Sequence, residues 1–140
     1  MTVLDTNVIS ELMRPAPDPR VAEWLMDQHP LDITTTCITV AEIQRGLMRL
    51  PEGKRRSGLE QRFSAFVDEA FSDRLLVFDK KAAYAYGEIS AMREQHGLHA
   101  DAVDMMIASI VKAAGATLAT RNTSDFRRCG IPLINPWNAD

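Results

Sequence analysis

The chain has 140 residues, 46% of them hydrophobic, which supplies material for one core and fits a single domain over residues 1–140. Its 16 basic and 19 acidic residues give a formal net charge of −3, so the chain lacks the overall basic charge usual in nucleic-acid-binding domains. If nucleic acid is a ligand, the contact surface must be locally basic, or metal ions must neutralise the phosphates.

Short apolar segments alternate with helical patterns in the first half of the chain. Residues 2–4 are predicted to form a strand that ends at Asp5, and the Thr-rich, β-branched segment 33–37 is predicted to form another. The predicted helices of this half cover residues 7–13, 18–28 with Asp18 as cap, 40–50 and 54–71.

The second half continues the alternation. Its predicted strands cover residues 75–78, 117–119 and 132–134, and its predicted helices cover 79–95 and 102–114. Strands separated by helices imply an α/β fold with a parallel sheet covered by helices on both faces. In such a sheet, ligands bind where the carboxyl ends of strands meet helix N-termini.

Two further features predict a cytoplasmic protein. No apolar run approaches the roughly 20 residues of a membrane span, and Asp5 interrupts the first apolar stretch, which argues against a signal peptide. Cys37 and Cys129 form neither a C-x-x-C motif nor a disulfide framework, so both are predicted to be reduced thiols.

Four acids lie at the carboxyl rim of the predicted sheet, and each also has a structural explanation. Asp5 follows the first strand and could equally be a helix cap. Thr39 and Glu42 match a capping box with Thr39 as N-cap, and the local pattern alone favours capping for Glu42.

The other two acids follow the same logic. Asp101 is predicted to cap the helix 102–114, which puts Asp104 in its first turn beside an apolar stripe. Asp125 follows the strand 117–119, in a run of residues that also favour a turn. Carboxylates gathered at one rim repel one another unless cations neutralise them. All-oxygen ligands select Mg²⁺ or Mn²⁺, which activate water for attack on a phosphodiester.

Four polar residues near this pattern are predicted to lie outside the site. Asp79 reads as the cap of the next helix, and Asp32 precedes its strand and so belongs to the opposite rim. His96 and His99 have no Cys or acid that completes a zinc pattern, so they are predicted to be loop residues.

Several segments together resemble the PIN domain, and more narrowly the VapC-type toxins of bacterial toxin–antitoxin pairs, especially their FitB-like branch. Each segment is weak alone, but their order and spacing are specific, and the resemblance covers nearly the whole chain. The segments are LDTNVISEL at 4–12, TVAEI at 39–43 with Gly46, AVDMMIA at 102–108, ATRN at 119–122 with DF at 125–126, and LINPW at 133–137.

The resemblance implies a three-layer fold with sheet order 3-2-1-4-5 and a metal-dependent ribonuclease site. The three core metal ligands of the family correspond to Asp5, Glu42 and Asp104, and its less uniform fourth acid corresponds to Asp125. The role of Asp125, as ligand of a second ion or as positioner of the attacking water, stays open. The family often has Ser or Thr at the position of Asp101, so a fifth acid here leaves the local charge open.

Further residues are expected to support that site. Thr6 and Asn7 are expected to orient Asp5, and Arg121 and Asn122 are candidate phosphate contacts. Five basic residues could form a positively charged surface next to the rim, but an ordinary charged helix face is the preferred interpretation. These residues are Arg45, Arg49, Lys54, Arg55 and Arg56.

The resemblance also implies partners. We expect an RNA substrate, a homodimer, a cognate antitoxin of the VapB or FitA type, and contact with DNA only through that antitoxin, with no membrane partner. Six apolar residues of the first two helices have two equally favoured interpretations: they line a groove for an antitoxin segment, or they pack in the core. These residues are Ile9, Leu12, Met13, Trp24, Leu25 and Met26.

Two hypotheses from other functional classes were weighed against the ribonuclease. A receiver-like or flavodoxin-like module would bind an ion without hydrolysis, but Asp79 and Lys80 do not meet the receiver pattern. A regulatory subunit that acts mainly in complex with a DNA-binding antitoxin is compatible with intact acids and remains the alternative.

Overall fold

The computed structural model describes residues 1–138, which fold into a parallel sheet flanked by helices. The strands are β1 (Thr2–Leu4), β2 (Ile33–Thr34), β3 (Thr117–Ala119) and β4 (Leu133–Ile134). The helices are α1 (Thr6–Leu12), α2 (Pro19–Met26), α3 (Cys37–Met48), α4 (Lys54–Ala70), α5 (Lys80–Gln95) and α6 (Ala102–Ala114), with 3₁₀ turns at Pro30–Asp32 and Thr123–Phe126. None of the helices within residues 1–138 combines the length and apolar character needed to cross a bilayer.

The predicted five-strand order 3-2-1-4-5 is wrong in detail, because the sheet within residues 1–138 has four strands in the order β2-β1-β3-β4. The predicted strand 75–78 is reduced to one parallel bridge between Leu76 and Thr36. The neighbouring strand, β2, ends early because Thr36 caps α3 and the chain enters that helix at Cys37. Val77 and Phe78 therefore lack a strand to pair with, and both are exposed.

Two apolar clusters cover the two faces of the sheet. Neighbouring residues of β1 point to opposite faces, so Leu4 packs into the cluster with α1, α2 and α4, whereas Val3 packs into the cluster with α5 and α6. β3 divides in the same way, with Ala119 on the first face and Leu118 on the second. This packing fixes the positions of the ends of β1 and β3 relative to one another.

Short-range side-chain bonds fix where the helices begin. Asp18, Asp79 and Asp101 are the predicted N-caps of α2, α5 and α6, and each carboxylate accepts a backbone N–H of its own first turn. Gly115 ends α6 in the left-handed region, with φ of 63°, where a residue with a Cβ is strained. α6 is thus held at both ends.

Candidate active site

Asp5 and Thr120 lie side by side at the carboxyl ends of β1 and β3. The two strands pair in parallel with Leu4 opposite Ala119, so the residues that follow each strand emerge at the same rim. The hydroxyl of Thr120 donates to Asp5 Oδ2 at 2.8 Å, and both residues are buried. The sequence prediction gave no role to Thr120, although its place after a strand next to β1 is a signal for this contact.

Asp5 both caps α1 and presents a carboxylate to the rim. Its Oδ1 accepts the backbone N–H of Thr6 at 2.8 Å, while Oδ2 accepts from Thr120 and, at 3.4 Å, from the side chain of Asn7. Oδ1 therefore keeps a lone pair for another ligand. The two interpretations offered for Asp5, helix cap and metal ligand, are compatible.

Asn7 joins the two strand ends. Its Nδ2 also donates to Thr120 Oγ1 at 3.3 Å, and its Oδ1 accepts the backbone N–H of Arg121 at 3.1 Å. Thr120 Oγ1 in turn accepts the backbone N–H of Asn122 at 3.1 Å. The loop after β3 is therefore tied to the start of α1 by side chains that also hold Asp5.

Glu42 is not part of a capping box. α3 begins at Cys37, three residues earlier than predicted, and its N-cap is Thr36, whose hydroxyl accepts the N–H of Thr39 at 3.0 Å. Glu42 therefore lies in the second turn, too far along for the capping role. Its Oε1 instead accepts the hydroxyl of Thr6 at 2.7 Å, which ties it to the segment that carries Asp5.

Asp104 lies in the first turn of α6, as predicted. Its backbone N–H donates to Asp101 Oδ2 at 3.0 Å, which leaves the half-buried Asp104 carboxylate without a capping duty. Asp125 lies in the 3₁₀ turn after β3, and its side chain is exposed. The rim thus carries acids from four separate segments of the chain.

The pKa of Asp104 shows how close these acids are. Burial is the largest cause that raises it, and the charges of Asp101, Asp5, Asp125 and Glu42 follow, which together bring the pKa to about 7. A carboxyl group with that pKa releases its proton to solvent readily when a cation binds near neutral pH.

Asp5 is subject to opposing influences. Burial raises its pKa, the hydrogen bonds from Thr120 and Thr6 lower it, and the charges of Glu42 and Asp125 raise it again. The net effect is a raised pKa. Burial first, and then the charges of neighbouring acids, thus raise the pKa of both Asp5 and Asp104.

The donor set fits a hard divalent ion, because every acid at the rim offers oxygen ligands. Within residues 1–138, no three Asp, Glu, His or Cys side chains lie close enough together to hold a metal ion as they stand. Binding one ion by Asp5, Glu42 and Asp104 would therefore require their side chains to move. His96 and His99 are exposed loop residues and Asp79 caps α5, as predicted.

Basic residues lie close to two parts of the site. Arg121 follows Thr120, and its guanidinium lies over the ring of buried Trp137, 5.0 Å from its centroid. A groove of about 410 Å³ is lined by Glu42 together with Arg45 of α3 and Arg49, the C-cap of that helix. Arg56 instead forms an ion pair with Glu60 one turn along α4, with 2.9 Å between Nε and Oε1. This pairing fits the interpretation of Arg56 as part of an ordinary charged helix face.

The residues proposed for an apolar groove belong mostly to the core. Ile9 and Trp24 are buried, and Leu12, Met13 and Leu25 pack against the same cluster. Met26 is the exception, with 83% of its surface exposed. Core packing is therefore the better interpretation for this set.

The two cysteines are free thiols, with Cys37 exposed and Cys129 buried.

Comparison with known proteins identifies the family. The PIN domain model matches residues 2–131. Toxin FitB of Neisseria gonorrhoeae is 38% identical over 99% of each chain, and VapC ribonuclease Y4jK of Sinorhizobium fredii is 40% identical over 98% of each chain. The solved structure of FitAB bound to an IR36 DNA fragment superposes with a TM-score of 0.93 at 37% identity, covering 100% of this chain and 98% of the other. The chain therefore belongs to the PIN-domain family, in the group that contains toxin FitB and the VapC ribonucleases.

Proposed function

We propose that this protein is the toxin of a toxin–antitoxin pair and a ribonuclease that hydrolyses RNA phosphodiester bonds with Mg²⁺ or Mn²⁺. The observation that carries the proposal is the gathering of acids from four segments at one rim, where burial and then the charges of the neighbouring acids raise the pKa of Asp104 to about 7. Unpaired negative charge of this density is characteristic of a cation site. The names of the VapC relatives support RNA as the substrate.

Asp5, Glu42 and Asp104 would hold the ion, which would supply an activated water and offset charge on the phosphate. Thr120 and the N–H of Thr6 fix the direction of the Asp5 carboxylate, and the hydroxyl of Thr6 does the same for Glu42.

Two residues beside the acids complete the proposed site. Asp125 is exposed at the edge of the cluster, where it can accept a proton from the attacking water or bind a second ion. Arg121 is the candidate contact for the phosphate, because it follows Thr120 at the end of β3 and its backbone N–H donates to Asn7.

The test is cleavage of RNA by the purified chain in Mg²⁺ and in EDTA, with Asp5→Asn beside it. Asp32→Asn is the matched control, because Asp32 is an exposed acid in the turn that precedes β2, at the opposite rim. We expect cleavage by the wild type and Asp32→Asn in Mg²⁺ only, and none by Asp5→Asn. Full activity of folded Asp5→Asn would exclude the proposed site.

The same proposal includes partners. Its support is the similarity to toxin FitB and to the solved FitAB complex, from which we propose an antitoxin partner for this chain. The homodimer rests on the family resemblance of the sequence alone. The DNA fragment in that complex also favours the alternative function, in which the chain acts mainly by forming a DNA-binding complex with its antitoxin. Growth arrest by the wild type without antitoxin, but not by Asp5→Asn, would favour the ribonuclease; arrest by neither would favour the alternative.

A further inference from the structure

Arg93 is a buried charge that the proposed mechanism does not use. It lies in the last turn of α5, and only 5% of its surface is exposed. Within residues 1–138, no carboxylate pairs with its guanidinium. A buried charge without an acid is costly unless hydrogen bonds satisfy it. Within the described part of the chain its guanidinium donates to backbone carbonyls, and the thiol of Cys129 lies beside it.

Those carbonyls belong to the two loops that deliver acids to the rim. Nε donates to the carbonyl of His99 at 2.7 Å, in the loop between α5 and α6. Nη1 donates to the carbonyls of Arg127 at 2.7 Å and Ser124 at 3.5 Å, which lie on either side of Asp125. One planar guanidinium therefore bridges two segments that are more than twenty residues apart in the chain.

The first of these loops leads directly into the site. Two residues after His99, Asp101 caps α6 and accepts the N–H of Asp104. The position of the Asp104 carboxylate thus depends on the loop that Nε holds, and the position of Asp125 depends on the turn that Nη1 holds. Among residues 1–138, neither carboxylate accepts a side-chain hydrogen bond comparable to those of Asp5.

We propose that Arg93 is a positioning residue that sets the spacing between Asp104 and Asp125. This inference rests on the proposed metal site, and it concerns the half of that site that Thr6 and Thr120 do not organise. The guanidinium is suited to the task because its donors diverge in one rigid plane, so both loops are held at once. A lysine ammonium offers a single nitrogen and cannot bridge them in the same way.

The test measures Mn²⁺ affinity in the absence of RNA, by calorimetric titration of the full chain. For Arg93→Gln we expect affinity to fall about 10- to 100-fold, the range found when groups that orient metal ligands are removed. Arg74→Gln is the matched control. Arg74 also donates to two carbonyls, those of Ile33 at 3.2 Å and Ala70 at 2.7 Å, but at the start of β2 and so at the opposite rim. We expect it to lower stability and leave Mn²⁺ affinity unchanged.

A second variant covers the case in which Arg93→Gln does not fold. Arg93→Lys keeps the buried charge and the aliphatic stem, and we expect it to fold with Mn²⁺ affinity still reduced about tenfold. Wild-type affinity in either folded variant, or an equal loss in Arg74→Gln, would overturn the positioning role. Asp5→Asn separates the two proposals: if it binds Mn²⁺ like the wild type, the metal site itself is wrong, and the role of Arg93 falls with it.

Discussion

The carboxylate of Asp104 is predicted to destabilise the metal-free protein at neutral pH. In the folded chain its pKa is raised to about 7 from an ordinary 3.8, first by burial and then by the neighbouring acids. The folded state therefore keeps a proton between about pH 4 and pH 7 that the unfolded state has released. By linkage, the contribution of Asp104 to the free energy of unfolding falls as the pH rises through that window and is constant above it.

The size of the effect follows from the two pKa values. A tenfold difference in proton affinity is worth about 1.36 kcal/mol, so the full difference would correspond to about 4 kcal/mol. Asp104 is only half-buried, and solvent screening reduces the effect, so we expect about 1 to 2 kcal/mol. Asp104→Asn should therefore be more stable than the wild type by this amount at pH 8, and equally stable near pH 4.

The assay is urea unfolding in EDTA, followed by the fluorescence of Trp24 and Trp137, which are both buried. Asp32→Asn serves again as control and should match the wild type at both pH values. Saturating Mg²⁺ should reverse the order, since the ion stabilises only the chain that binds it. A variant less stable than the wild type at pH 8 in EDTA, or a difference independent of pH, would refute the argument from crowded charge.

Three further predictions concern the neighbours of the acids. Thr6→Val removes the 2.7 Å bond to Glu42 and should weaken Mn²⁺ binding about tenfold in a calorimetric titration; unchanged affinity would mean that Glu42 needs no such support. Thr120→Val removes the hydroxyl that donates to Asp5 and accepts from the N–H of Asn122 at a buried position. It should lower the free energy of unfolding, measured in urea, by about 1 to 3 kcal/mol. A loss below about 0.5 kcal/mol would contradict the contacts. Arg121→Gln, made in the Asp5→Asn background, should reduce the slope of log Kd for single-stranded RNA against log salt concentration by about 0.7, the value for one phosphate contact. An unchanged slope would show that Arg121 does not contact the RNA.

Features set by local chemistry were predictable from the sequence. The Asp caps of α2, α5 and α6 need only a carboxylate near the first free N–H groups of a helix, so a few residues determine them. β1 and the position of Asp5 at its end were predicted for a similar reason, since the first polar residue after a short apolar segment marks the rim.

The start of α3 depended on contacts from another part of the chain. Thr34, Thr35, Thr36 and Thr39 are all chemically suited to a strand or a cap, and local pattern cannot choose among them. The segment around Leu76 makes the choice, because Leu76 accepts the N–H of Cys37 and donates its own to Thr35. Pairing ends there, and Thr36 becomes the cap.

The supporting residues of the site were the hardest to predict. Thr120 contacts Asp5 across 115 positions of sequence, and only the register of β1 against β3 brings the two together. Arg93 reads as one more charge on a helix until the fold buries it between two loops. The acids could be proposed from motif and rim position, but the groups that orient them depend on tertiary structure.

The most direct test of the metal site is an anomalous difference map from crystals of the chain grown with Mn²⁺. We expect a peak at the carboxylates of Asp5, Glu42 and Asp104, and we expect Asp5→Asn crystals to lack it. Mn²⁺ bound elsewhere, or a rim without a peak in a protein that still cleaves RNA in EDTA, would contradict the proposed site.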